Sequence, residues 1–107
     1  MRNLKTLKSG RDFARVYRAG RRGRSDGVAV VARRCEGPAK VGMSIKASTG
    51  SAVARNRVRR RLRAIWTGLE VSDGHEVVIE VTGEALGLEY QELEKHMTSA
   101  LAKAGAR

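Results

Sequence analysis

Arg55, Arg57, Arg59, Arg60, Arg61 and Arg63 crowd into the segment from Ala54 to Trp66 with no acid among them. A guanidinium is permanently charged and presents a planar fork of N–H donors that matches phosphate oxygens, so the chemistry such a cluster can do is polyanion binding. On a helix, like charges three and four positions apart repel by about 0.2–0.5 kcal/mol per pair, and the repulsion calls for a counter-charge from outside. A merely solvated charged face intersperses acids with its bases, which this one does not. Basic localisation signals lack a core-grade apolar stripe.

Other side chains offer less. Cleaving a phosphodiester with protein groups alone needs an acid and a base within reach of one phosphate, and His75 and His96 are the neutral-range candidates. His75 falls in an Asp-Gly-His-Glu turn and His96 on an acidic C-terminal segment, both far in sequence from the arginines. Both read as surface residues, so no catalytic residue is assigned. No carboxylate pair has the spacing of a magnesium site, and no His/Cys cluster suggests zinc. Phe13 and Tyr17, with Val16 between them on one helical face, fit either core packing or a platform on which unpaired bases stack.

Helices and strands read from the same sequence place these side chains. Val58, Leu62, Ile65, Trp66 and Leu69 recur at helical spacing through and beyond the arginine segment, so it reads as an amphipathic helix. With that stripe inward, Arg57, Arg60 and Arg63 project into solvent while Arg55, Arg59 and Arg61 flank the apolar face. The loop Ser48-Thr49-Gly50-Ser51 feeds the helix, and its N–H groups favour a phosphate. Upstream, Ser9 and Gly20 bracket a first helix, with Asp12 answering its dipole. Arg21, Arg22 and Arg24 fall in a Gly-rich turn. Val28–Ala32 is a β-branched run typical of a buried strand, and Lys40–Lys46 alternates as its antiparallel partner, with Val41, Met43 and Ile45 inward. Glu76–Val81 forms a third strand, Gly83 and Gly87 mark a loop, and Leu88–Lys103 a last helix with Leu93, Met97, Ala100, Leu101 and Ala104 on one stripe. The order is α-β-β-α-β-α, an α+β domain in which a small sheet is covered by helices.

At 107 residues the chain has room for one core, and residues 1–107 read as a single domain whose first eight residues form a mobile basic tail. Net charge is +11, but its distribution says more: 19 Lys and Arg against 3 acids through Arg63, then 3 against 8. The first part carries the interaction surface, while the acidic remainder either faces away from the polyanion or neutralises basic neighbours. Cys35 alone makes neither a disulfide nor a thiolate zinc site, which fits a reducing compartment. The apolar runs are too short to span a membrane, and the reading is a soluble, cytoplasmic protein. A basic ribosomal-type RNA-binding protein shares size and charge. Sequence-specific DNA binding fits less well, because a recognition helix carries Asn, Gln or Ser to read base edges.

Taken together, Lys40-Val41-Gly42-Met43-Ser44-Ile45, then Gly50-Ser51-Ala52-Val53 and the Arg55-Asn56-Arg57 motif with basic residues after it, resemble the protein component of bacterial ribonuclease P. Asp12-Phe13 with Val16-Tyr17 is similar to that family's first helix, and Tyr90-Gln91-Glu92-Leu93 to the start of its last. The resemblance implies a two-layer α-β sandwich with the arginine helix in a left-handed β-α-β crossover, against the usual right-handed rule. It also implies a protein subunit, monomeric in a one-to-one ribonucleoprotein, that binds ribonuclease P RNA and the 5′ leader of precursor tRNA; the RNA and its Mg2+ cut the phosphodiester, and the protein binds no cofactor. Carried over by position, Arg55, Asn56, Arg57, Arg59, Arg60, Arg63 and Lys46 contact the catalytic RNA, and Phe13, Tyr17 and Val30 line a leader cleft. The chain departs from the family pattern at Lys46-Ala47-Ser48, where the family has Ser-Lys-Lys, at Val30, where it often has an aromatic, and at Thr82, where an arginine is common.

Overall fold

A computed structural model describes residues 5–69, 71 and 73–106. The chain runs α1 (Gly10–Ala19), β1 (Arg21–Ser25), β2 (Val28–Arg34), β3 (Lys40–Ser44), a 3-10 turn (Ala47–Thr49), α2 (Ala52–Gly68), β4 (His75–Val81), α3 (Gly83–Leu86) and α4 (Tyr90–Lys103). The expected α+β architecture is present. Its sheet has four strands in the order β1-β2-β4-β3 rather than three, and α3 replaces part of the expected loop at Gly83.

Two further expectations are corrected. Lys40–Ser44 does not pair with Val28–Arg34; β4 lies between them, antiparallel to β2 and parallel to β3. Arg21–Ser25 is an edge strand rather than a turn, and pairs antiparallel with β2. Little in its own sequence, Arg-Arg-Gly-Arg-Ser, favours extension. The strand is imposed from outside: α4 packs so closely on it that a Cβ at Gly23 would collide with the backbone of Ala100 and Ala104.

The helix ends are set locally. The Asp12 N–H donates to Ser9 Oγ at 3.3 Å and the Gly20 N–H donates to Val16 O, closing α1 at both ends. At α2 the Ala54 N–H donates to Ser51 Oγ at 3.1 Å. These bonds satisfy backbone groups that a helix end would otherwise leave unpaired.

The pleat sorts the sheet into two faces. On one, Val28, Val30, Ala32, Val41, Val77, Ile79 and Val81 join the buried stripes of α2 (Val58, Leu62, Ile65, Trp66) and α4 (Leu93, Met97, Ala100, Leu101) in the main core. The other face is built from rows that cross the strands: Arg33-Glu76-Lys40, then Arg22-Val31-Val78-Gly42, then Arg24-Ala29-Glu80-Ser44. The first helix covers the first two. Val16, Val31, Val78 and Leu7 form a second cluster, with Phe13 and Tyr17 against it. Phe13 lies so close over Gly42 that a Cβ there would come within 2.5 Å of its ring.

Residues 5–8 are also corrected. They are not a free tail: the Leu7 N–H donates to Val41 O (3.0 Å), the Val41 N–H donates to Lys5 O (2.9 Å), and Leu7 is only 8% exposed. Residues 1–4 lie outside the described part.

Glu76, 3% exposed, anchors α1 to the sheet. Arg15 donates to both its oxygens, Nη2 to Oε1 at 2.6 Å and Nε to Oε2 at 3.1 Å, and Arg33 Nη1 adds a bond to Oε2 at 3.0 Å. The Arg15 bonds foremost, with help from Arg33, hold the carboxyl below its ordinary value of 4.5 against the opposing effect of burial. A depressed carboxylate contributes stability that is fully present above 4.5 and is lost as pH falls through the folded-state value. Glu76→Gln should therefore be less stable than the parent at pH 7, by about 1–3 kcal/mol for the lost charge-assisted bonds, with the gap closing below pH 4.5; denaturant titrations across pH measure it. A gap independent of pH would refute the ionic role. Leu62→Ala should cost about 2–5 kcal/mol in the same assay without that pH dependence.

Candidate nucleic-acid interface

The stripe of α2 decides where its charges point. Because Val58, Leu62, Ile65 and Trp66 are buried, Asn56, Arg57, Arg60 and Arg63 stand exposed, and Arg55, Arg59 and Arg61 sit half-buried at the flanks. The flanking arginines are partly occupied: Arg55 Nε donates to Gly50 O (3.1 Å), Arg59 Nη1 to Asn56 Oδ1 (3.0 Å) and Arg61 Nη1 to Leu88 O (2.9 Å). Arg61 thereby ties α2 to the start of α4. Arg55 braces the loop before its own helix.

Among the described residues, grooves border this face. Val53, 76% exposed, joins Asn56, Arg59, Arg60 and Arg63 in one. Tyr90, 39% exposed, joins Arg57, Arg60, Arg61 and Ala64 in another. In both, an apolar or aromatic surface lies between guanidiniums, which suits a ribose or base between phosphates. A third is lined by Leu7, Phe13, Val41, Gly42, Met43, Arg59 and Arg63, and so joins the α1 aromatic to the arginine helix across β3.

Tyr17 lies further along the same face. Its hydroxyl donates to Glu80 Oε2 at 3.1 Å, and the Arg22 guanidinium sits 5.8 Å from its ring centroid. Desolvation foremost pushes the phenol above its ordinary value, so it stays a donor through the neutral range. A cavity of about 250 Å³ opens beside it, lined by Arg22, Arg24, Asp26, Ala29, Ser44, Lys46, Glu80 and Thr82. Lys46 therefore groups with Arg22 and Arg24 in this cavity rather than with the arginines of α2.

Val30 is corrected by one position. It is wholly buried on the face packed against α2 and α4, so it cannot line the α1-side cleft; its neighbour Ala29 does. Arg22, Arg24 and Glu80 in this cavity, and Tyr90 beside α2, line the face without being singled out as site residues by the sequence. The Arg-Gly-Arg alternation at 22–24 was the available signal. Of the two expectations for the acidic part of the chain, neutralisation of basic neighbours is met at Glu76 and Glu80, which pair with Arg15, Arg33 and Arg22.

The histidines are placed apart from the arginines of α2. His96 Nδ1 shares a hydrogen bond with Ser25 Oγ (2.8 Å), and Nε2 lies 3.3 Å from Asp26 Oδ2, so it braces the β1–β2 turn on α4. His75 opens β4 and lines a groove with Arg21, Arg33 and Arg34. Among the described residues no cluster of three His, Cys, Asp or Glu side chains is placed to hold a metal, and no helix is long and apolar enough to cross a membrane.

Comparison with known proteins decides what family carries this surface. The family model for Ribonuclease P matches residues 1–105. The chain belongs to the ribonuclease P protein family. A ribonuclease P protein component from Clavibacter michiganensis is 37% identical over 101 residues, covering 90% of this chain and 88% of that protein. One from Kocuria rhizophila is 33% identical over 104 residues, covering 94% and 92%. The fold is shared with a Staphylococcus aureus RNase P protein mutant (TM-score 0.85, 19% identity, 95% of this chain and 89% of that one) and with the RNase P protein from Thermotoga maritima (TM-score 0.81, 19% identity, 95% and 96%). In this ribonuclease P family member the resemblance seen in the motif thus extends over almost the whole chain.

If the exposed face of α2 meets phosphates, Arg57→Ala and Arg60→Ala should each weaken RNA binding and lower the slope of log K against log salt by about one. Filter binding across a salt series checks this. An unchanged slope would mean that neither guanidinium neutralises a phosphate.

Proposed function

We propose that the chain is the protein subunit of ribonuclease P, which binds the catalytic RNA and the 5′ leader of precursor tRNA and assists endonucleolytic removal of that leader in the cytoplasm. The catalytic RNA meets Arg55, Asn56, Arg57, Arg59, Arg60 and Arg63. The leader runs along the α1-side face from Phe13 to Tyr17, with Arg22, Arg24 and Lys46 taking its phosphates. The observation that carries this reading is the groove that unites Phe13 with Arg59 and Arg63. A single strand stacked there lies beside whatever polyanion occupies α2.

The protein acts by electrostatics and positioning. Two RNAs brought together repel through their phosphates, and a surface rich in guanidiniums between them lowers that repulsion and so the divalent cation needed to screen it. Hydrolysis itself, with its Mg2+, belongs to the RNA subunit in this reading, and the protein joins it one-to-one with precursor tRNA as substrate.

The test is multiple-turnover cleavage of a leader-bearing precursor tRNA at low magnesium, comparing protein alone, a bacterial ribonuclease P RNA alone, and both. Cleavage is expected only in the mixture, with a lower magnesium requirement than the RNA shows by itself. Cleavage by the protein alone would move the chemistry onto this chain. No stimulation in any combination would leave an RNA-binding protein without a processing role.

A further inference from the structure

The third row of the α1-side face, Arg24-Ala29-Glu80-Ser44, is the one that the first helix leaves open. Its centre is a carboxylate. Small neighbours on both sides, Ala29 and Ser44, leave Glu80 standing above the sheet floor, with about a third of its side chain (32%) exposed to the cavity. Both oxygens are tethered: Tyr17 Oη donates to Oε2 and Arg22 Nη1 donates to Oε1, each at 3.1 Å. A carboxylate oxygen has two lone pairs, so each retains capacity for another donor. The group is held in place without being used up.

Besides neutralising Arg22, Glu80 turns lone pairs into the cavity, and these repel a phosphate backbone. What they attract is an N–H edge. Among unpaired bases, guanine presents two adjacent donors, N1–H and the N2 amino group, which match the two oxygens of one carboxylate. Adenine and cytosine present one amino group beside a ring acceptor, and uracil a single N3–H between two carbonyls. The surroundings suit a base as well: the Arg22 guanidinium, 5.8 Å from the Tyr17 ring centroid, offers a flat surface at the cavity wall, and Arg24 and Lys46, with the Asp26 carboxylate also in the lining, supply positive charge for the flanking phosphates.

Resting on the proposed leader-binding role, we propose that Glu80 is a specificity residue that reads the base of one leader nucleotide, favouring guanine and rejecting uracil. Arg22 and Tyr17 position its carboxylate. The preference arises because uracil turns carbonyl oxygens toward the carboxylate where guanine turns donors.

Precursor tRNAs in which each leader position is set in turn to G, A, C or U test this, with kcat/KM measured at low magnesium for the parent, Glu80→Gln and Glu80→Ala holoenzymes. At one position the parent should prefer G over U by about tenfold, within the range that a paired base contact gives, and Glu80→Gln should reduce that ratio below about threefold. Melting curves establish that the variants fold, and Glu80→Gln keeps the side chain's size. Equal ratios in parent and variants, or no preference for G over U at any position in the parent, would overturn the proposal. The free protein's affinity for four short single-stranded RNAs that differ at one base provides a second readout, independent of cleavage. Should the protein fail to stimulate cleavage of any leader, the ribonuclease P role falls, while a guanine preference in these oligonucleotides that Glu80→Gln abolishes would still uphold Glu80, and its absence would overturn it.

Discussion

Glu76 is the charged side chain that the described core buries, and the two guanidiniums that meet it, from Arg15 on α1 and Arg33 on β2, decide where the first helix lies. An ionised carboxylate out of water is costly unless its lone pairs are filled in good geometry, so a helix that supplies a two-point contact has little freedom to slide. Once Arg15 is fixed, Val16 falls on Val31 and Val78, and Phe13 on Gly42. α1 crosses the strands along these rows, from Gly42 on β3 to Val31 and Ala32 on β2, and reaches the next row through the Tyr17 hydroxyl on Glu80. That row is the floor of the cleft, and its openness follows from where the clamp sits.

The other half of the surface depends on a conflict inside α2. Its apolar stripe is sufficient to dock the helix, while its outer face brings like charges together and gains nothing from the fold in return. Ser51 caps the helix, and Arg55, Arg59 and Arg61 find carbonyl or amide partners. Arg57, Arg60 and Arg63 are left projecting into solvent. Local and global preferences disagree at that face, as they do where a structure is shaped for a partner rather than for itself.

Features written in short-range patterns were legible. The α2 and α4 stripes, the caps at Ser9 and Gly20, and the inward and outward sets of arginines follow from helical periodicity and end chemistry, which neighbouring residues determine. Strand partners were not, because pairing is non-local: nothing in Lys40–Ser44 says that β4 rather than β2 lies beside it. Val30 failed for a related reason. Val28–Ala32 is apolar at every position, so it has no alternation to say which residues face α1, and a shift of one position exchanges the two faces. β1 was hidden because its extension comes from its edge position and from α4 pressing on Gly23. Glu76 and Glu80 could have been found, since acids four apart in an otherwise apolar strand mark one face, but their arginine partners lie more than 40 residues away.

If the exposed arginines of α2 serve a partner and not the fold, their removal does not destabilise the free protein. The most direct measurement is the melting temperature of the RNA-free triple variant Arg57→Ala, Arg60→Ala, Arg63→Ala against the parent, first at low ionic strength and then at high. Removing mutual repulsion should raise the melting temperature at low salt, and the difference should shrink as salt screens the charges in the parent. A triple variant that melts below the parent at both ionic strengths would show that these arginines hold the structure together, and would contradict the claim.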